Sequence, residues 1–125
     1  MTNASPPRRG KTKPPEMSDE ALDLVARRFR ALGSSSRLRI LHSLMGTDCS
    51  ISELVEATGL KASNLSRHLS DLEQEGCIRR VRDGKEVMVS LIDESLRDLC
   101  ELVCGALQQK LDTHRSALPR RRSRS

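Results

Sequence analysis

Four cysteines stand at positions 49, 77, 100 and 104, and the last two are one helical turn apart. If that segment is helical, residues i and i+4 share a face. With Leu96 at 0° and about 100° per residue, Cys100 falls near 40° and Cys104 near 80°. The first is then inside an apolar stripe and the second at its edge. Two thiols so placed can chelate a soft ion such as As(III), Sb(III), Hg(II), Cd(II) or Zn(II). They can also react with an oxidant or a reactive sulfur species, although a direct disulfide along one rigid helix is strained. No cofactor is required by this chemistry; the ion or oxidant would be an effector. Cysteine is also a small buried hydrophobe, so packing alone is the competing reading. Cys49, expected in a loop, is a candidate third ligand. Cys77 reads as structural.

A second group of residues suits a different partner. Ser63, Asn64, Ser66, Arg67 and Ser70 lie opposite Leu65, Leu69 and Leu72, with His68 at the flank and Lys61 just before. Short hydrogen-bonding side chains around an arginine, in the N-terminal half of a helix, are what a DNA major groove admits. Asn64 could read adenine; Arg67 could read guanine or hold phosphate. Arg79, Arg80, Arg82 and Lys85 flank Asp83-Gly84 and could grip the adjoining backbone. The expected DNA-binding set is Lys61, Ser63, Asn64, Ser66, Arg67, His68, Arg80, Arg82 and Lys85.

The elements that must position these groups follow from periodicity and caps. Ser18-Asp19-Glu20 opens a helix with Leu22, Val25, Phe29 and Leu32 at helical spacing, and Gly33 stops it. Ser34–Ser36 cap a second helix, which Gly46 ends. Ser50-Ile51-Ser52-Glu53 fits a capping box and starts a short third helix closed by Gly59. A fourth spans about 61–75. The period then becomes two: strands over 77–82 and 86–91 flank the hairpin signal Asp83-Gly84. Asp93 caps a last helix over 93–112, striped by Leu96, Leu99, Val103, Leu107 and Leu111. The expected fold is mainly α with a small β-hairpin wing, in the order α-α-α-α-β-β-α: a winged helix-turn-helix.

Length and composition bound the alternatives. At 125 residues the chain is one domain's worth. Phe29 is its sole aromatic residue, which excludes stacking platforms for single strands or RNA. No apolar run is long enough to span a membrane and no secretion signal is visible, so the expected location is cytoplasmic, with free thiols. There is no C-x-x-C, nucleophile elbow or phosphate loop, so an enzyme is not expected. The formal charge of +5 is unevenly spread. Segments 1–17 and 116–125 hold eight basic residues and one acid, whereas 18–115 holds 14 basic and 16 acidic. The ends read as disordered basic tails around a DNA-binding and dimerisation domain over 18–115. Within it, 60–85 has six basic and four acidic residues, against two and five over 93–112.

Three runs together resemble a known family. Leu32-Gly33-Ser34-Ser35-Ser36-Arg37-Leu38-Arg39-Ile40-Leu41 is similar to its L-x-x-x-x-R-L-R-I-L opening. Ser63-Asn64-Leu65-Ser66-Arg67-His68-Leu69 resembles its S-[TN]-[VL]-S-x-H-L recognition helix. Leu72, Gly76 and Ile78, with Arg80 through Lys85, resemble its L-x-x-x-G-L/I-V and wing. The family is the ArsR/SmtB, or arsenic-repressor, group of bacterial transcription regulators, and the resemblance covers about residues 20–112. It implies a homodimer built from the first and last helices, bound to double-stranded operator DNA and released by an effector. The chain departs from the pattern at Lys61, where the family often has a capping Ser, and at Met88-Val89, where it commonly has a Tyr pair. The family's effector sites are mostly not reproduced. Its E-L-C-V-C-D-L run is Asp48-Cys49-Ser50-Ile51-Ser52-Glu53-Leu54 here, with Ser at both ligand positions. Ser95, Ala106 and Gln109 fall where the last-helix zinc ligands would be. His42 stands at the second-helix position of the persulfide-sensing thiol, and His114 has no evident partner. The thiols at Cys100 and Cys104 remain, or the regulator has no thiol effector and its cysteines are structural.

Overall fold

The structure, a computed structural model, describes residues 15–117. The basic segments 1–14 and 118–125 lie outside the described residues. Eight elements follow in order: α1 (Asp19–Leu32), α2 (Ser35–Ser43), β1 (Cys49–Ser50), α3 (Ile51–Thr58), α4 (Ala62–Gln74), β2 (Ile78–Asp83), β3 (Glu86–Leu91) and α5 (Glu94–Ala117).

Serines start three of the helices, because their hydroxyls accept the first orphan N–H groups. Ser18 Oγ accepts from Ala21 N at 3.1 Å, and Ser34 Oγ from Arg37 N at 3.3 Å. At α3 the capping box closes both ways. Ser50 Oγ accepts from Glu53 N at 3.1 Å while Glu53 Oε1 accepts from Ser50 N at 2.8 Å. Gly59 ends α3 at φ +74°, a backbone turn that a side chain resists, and so swings the chain directly into α4.

The core is aliphatic. Leu65, Leu69 and Leu72 of α4 are wholly buried against Ile40, Leu41 and Leu44 from the α2 region, Leu54 of α3, and Ile78, Val89 and Leu96. Burying a leucine side chain is worth roughly 1.5–3 kcal/mol, so the α4 stripe fixes that helix's rotation and turns its polar side outward.

The sheet has three strands in the order β1-β3-β2, all antiparallel. The sequence pattern anticipates β2 and β3 but not β1. Cys49 and Ser50, expected in a loop, instead pair with Val89 and Met88 of β3. The hairpin turn is also one residue later than the pattern suggests. Asp83 pairs with Glu86, leaving Gly84 and Lys85 as the two loop residues, with Gly84 at φ +68°. Glycine at the first position of a two-residue hairpin matches the twist of the strands.

The arrangement is a winged helix-turn-helix. It differs from expectation at one further point: α5 runs to Ala117, past residue 115, where the domain was expected to end. Only the first part of α5 belongs to the core. Leu96 and Cys100 are buried, whereas Leu102 is 69% exposed and Val103, Leu107 and Leu111 are exposed too. On α1, Leu22, Leu24, Val25 and Phe29 are likewise exposed. Among the described residues, no helix is long and apolar enough to cross a membrane.

Candidate nucleic-acid interface and thiol pair

The outward side of α4 is set by its buried stripe. Ser63, Ser66, Arg67 and Ser70 are exposed, and Asn64 and His68 are half-buried. Arg67 reaches Asn64, Nη2 donating to Oδ1 at 3.4 Å, so the two candidate base-reading side chains lie side by side. Lys61 holds the N-cap position of α4 without a side-chain hydrogen bond, and no acid occupies the first turn. The first N–H groups of α4 therefore keep their capacity for an anion, reinforced by the helix dipole and the lysine charge.

The basic residues of the wing divide into two kinds. Arg82 and Lys85 are exposed, as is Arg79, and among the described residues none of the three forms a salt bridge. Arg80 is different. Its guanidinium lies 2.7 Å from Glu73 Oε1 and reaches Ser70 Oγ at 3.4 Å. The hydrogen bonds from Arg80 hold the Glu73 carboxyl below its ordinary pKa. Arg80 braces β2 against α4, which sets the position of the wing relative to the recognition helix.

His68 is also committed within the protein. Its Nδ1 accepts from Arg37 Nε at 3.2 Å, while Arg37 Nη2 donates to Asp71 Oδ2 at 3.0 Å and Nη1 to the Ala31 carbonyl at 3.4 Å. Burial first, and then the charges of Arg37 and Arg67, lower the His68 pKa. The imidazole is therefore neutral, with its proton on Nε2. Arg37 thus joins the end of α1 to the middle of α4. A second clamp ties α1 to the start of α5: Arg28 pairs with Asp93 and donates to the Glu75 carbonyl at 2.9 Å. In the sequence Arg37 is one residue of a family-like motif and Arg28 belongs to none. Their positions before leucine and phenylalanine on helix faces gave no sign of where the guanidinium would reach.

The thiols lie elsewhere. Cys100, 8% exposed, and Cys104, exposed, share one side of α5, bordering an apolar hollow of about 260 Å³ between α5, α1 and α2. Burial pushes the Cys100 thiol up in pKa, and the neighbouring Cys104 adds to the effect. Cys49 is buried in β1, its Sγ donating to the Ser43 carbonyl at 3.5 Å. Among the described residues, no three His, Cys, Asp or Glu side chains come together to hold a metal ion, so Cys49 does not complete a site with the pair within one chain. Cys77 is fully buried between α4 and β2, and burial raises its pKa.

These features recur in known proteins. The profile of the bacterial regulatory proteins of the arsR family matches residues 34–80, which run from the α2 cap into β2. The regulator CmtR of Mycobacterium bovis is 40% identical over 89 residues, 70% of this chain and 73% of that protein. The chain belongs to the ArsR family. Its members are DNA-binding transcription regulators and not enzymes. A "probable mercury resistance operon repressor" of Streptomyces lividans is 36% identical over 80 residues, covering 64% of this chain and 64% of that relative, just under two thirds of its length. Among solved structures, the homodimeric winged helix-turn-helix DNA-binding domain of an M. bovis protein, a possible ArsR-family regulator, superposes with a TM-score of 0.68 at 29% identity. That match covers 78% of this chain and 94% of the other. The ArsR fold therefore accounts for the placement of α3, α4 and the wing. The family match ends at residue 80, before α5 and its two thiols.

Proposed function

We propose that the chain is a repressor that binds operator DNA as a homodimer and leaves it when a thiol-reactive effector meets Cys100 and Cys104. The DNA half rests on the face of α4. Ser63, Asn64, Ser66 and Arg67 are presented together by a helix whose other side is locked in the core, and Lys61, Arg82 and Lys85 flank them. Asn64 and Arg67 have the chemistry for base edges, and the flanking cations that for phosphates. Arg80, held by Glu73 and Ser70, acts from behind as a positioning residue, and His68, whose Nδ1 is taken by Arg37, is oriented with only Nε2 left to reach outward.

The dimer half rests on the exposed apolar residues of α1 and α5. A contiguous apolar surface of this kind marks a protein contact, and the superposed M. bovis domain is homodimeric. A two-fold pair would place two recognition helices one DNA turn apart, so the operator should be a near-palindrome.

The effector half rests on the juxtaposition of two thiols at the edge of that same surface. A soft ion or a reactive species bonded there changes the dimer contact, and through Arg28 and Arg37 the changed α1 and α5 bear on α4. The S. lividans relative's name carries mercury resistance, which is in keeping with a soft effector. The competing reading, a regulator without a thiol effector, draws on the burial of Cys100 and its raised pKa. The deciding test is operator release, on a duplex selected from random sequence, against As(III), Sb(III), Hg(II), Cd(II), Zn(II), peroxide and polysulfide. Release by at least one of them in the native chain, and none when Cys100 and Cys104 are both serine, is the expected result. A double variant that still responds fully would overturn it.

A further inference from the structure

The flank of α4 turned away from the wing borders a polar cleft of about 240 Å³, where Arg27, Arg30 and Arg37 meet Asp71, Gln74 and Glu75. Two of its three guanidinium groups are committed. Arg37 is held by His68, Asp71 and the Ala31 carbonyl, and Arg27 donates to Glu75 Oε2 at 2.8 Å. Arg30 is exposed and, among the described residues, forms no salt bridge. With Asp71 and Glu75 each matched by an arginine, Arg30 is the surplus charge of the cleft.

The packing of α1 beside α4 decides where that charge points. Arg37, bonded to Ala31, reaches residues 68 and 71, whereas Arg27 and Arg28 reach Glu75. The two helices therefore lie side by side in opposite senses. At about 100° per residue, Leu32 and Arg28 of α1 turn to the core, and Ala31 and Arg27 turn to α4. Leu22 and Phe29 turn away from α4, towards the dimer contact. The direction left over is that of the recognition face, and Arg30 takes it. Asp19 and Asp23 share that direction two turns or more earlier, so the cationic stretch is confined to the last turn of α1.

We propose that Arg30 is a phosphate contact that holds the DNA backbone on the side of α4 facing the two-fold axis. This rests on the DNA-binding homodimer read above and adds a contact outside the recognition helix and the wing. A helix in the major groove has a phosphate strand on either side of it. Lys85 and Arg82 stand on the wing side of α4, and Arg30 stands on the other, so the cations straddle the groove. Because α1 also carries the dimer contact, the two Arg30 side chains of a dimer fall on the inner phosphates, between the half-sites. Such a contact fixes register and adds affinity without reading sequence.

The test uses the reduced full-length chain and the duplex selected from random sequence, with binding followed by fluorescence anisotropy over a range of salt. Arg30→Ala should lower the slope of log affinity against log salt by about one per protomer. A fourfold rise in salt should then cost the native dimer about tenfold more affinity than the variant. Base preference, circular dichroism and sedimentation should stay as in the native chain, and Arg30→Lys should restore most of the slope. Methylphosphonates, which carry no charge, locate the contact. Placed between the half-sites, they should weaken the native chain and have less effect on Arg30→Ala. Placed beyond the half-sites, they should weaken both alike. An unchanged slope in Arg30→Ala, or a variant that responds to the inner substitutions as fully as the native chain, overturns the assignment. A native chain that selects no duplex overturns the DNA reading and this contact together. One that selects a duplex while Arg30→Ala matches it at every salt concentration overturns the contact alone.

Discussion

Helices α4 and α5 are both amphipathic, yet they leave opposite things unfinished. In α4 the three leucines are completely buried within the chain, and what remains outside is hydrogen-bonding capacity: serines, Asn64, Arg67 and the uncapped first turn. In α5 burial stops after Cys100, and what remains outside includes uncovered hydrocarbon at Leu102, Val103, Leu107 and Leu111. The first helix is complete as a structure and lacks a polar, anionic partner. The second lacks part of its own core. A polar residue on the outer face of α4 should therefore change binding without changing folding, whereas an apolar residue on distal α5 should change assembly.

The sharpest way to break this contrast is inside α4. Leu69→Ala should cost about 2–5 kcal/mol in denaturant unfolding, because Leu69 is fully enclosed. A loss below about 1 kcal/mol would mean that α4 is not anchored as described. On α5, Leu107→Asp should leave the helical circular dichroism intact while raising the dimer dissociation constant about a hundredfold, roughly 2.7 kcal/mol. Unchanged sedimentation would dissociate the exposed stripe from assembly. Arg67→Ala should cost about 1–3 kcal/mol in operator affinity and relax base preference at one position per half-site. Uniform weakening across sequences would make Arg67 a phosphate contact instead.

Smaller effects separate the two kinds of wing cation. Lys85→Ala should reduce the slope of log affinity against log salt by about one per protomer. Arg80→Ala should leave that slope unchanged, and should lower stability by no more than about 1 kcal/mol, the usual worth of a partly exposed ion pair. The smallest effect is one of pH. The His68 pKa is lower folded than unfolded, so the unfolded chain takes up the proton more readily. Stability should fall as pH drops from 7 toward 5, as the unfolded-state imidazole charges near 6.5. His68→Gln should flatten that limb. The depressed carboxyls of Glu73 and Asp93 work in the same direction at lower pH, because the unfolded chain takes up those protons before the folded one does.

What could be read directly from the residues was local. The serine caps, the Ser50/Glu53 box, the Gly59 turn and the leucine stripe of α4 each depend on neighbours within four positions, and all stand where the spacing puts them. The two-residue strand β1 has no periodicity of its own and exists only because Met88 and Val89 come alongside. The last turns of α5 carry no sequence signal, because Thr113, His114, Arg115 and Ser116 extend no apolar stripe. At the site, spacing correctly puts Ser63, Asn64, Ser66 and Arg67 on one side of the helix. It cannot show that Arg80 points back to Glu73 or that His68 faces Arg37, since those contacts are made across 7 and 31 positions of sequence. The thiol pair shares a face as its spacing requires. That the face lacks a cover within the chain is a tertiary fact.

Strand β1 has a bearing on solubility. An open strand edge is a template on which another chain's strand can add, the first step towards aggregation. The wing must project to be useful, and so exposes such an edge on β3. β1 occupies that edge at Met88 and Val89, and on this side of β3 Glu86 and Val87 stay open towards the tip, next to the charged side chains of Lys85 and Asp83. On the other side β2 is the outer strand, and its edge is guarded differently: Arg79, Arg80, Arg82 and Asp83 line it with charge, and Arg80 N is taken by Glu73 Oε2 at 3.4 Å. The protein thus keeps a protruding hairpin ready for DNA with one edge shortened by β1 and the other charged against a foreign strand.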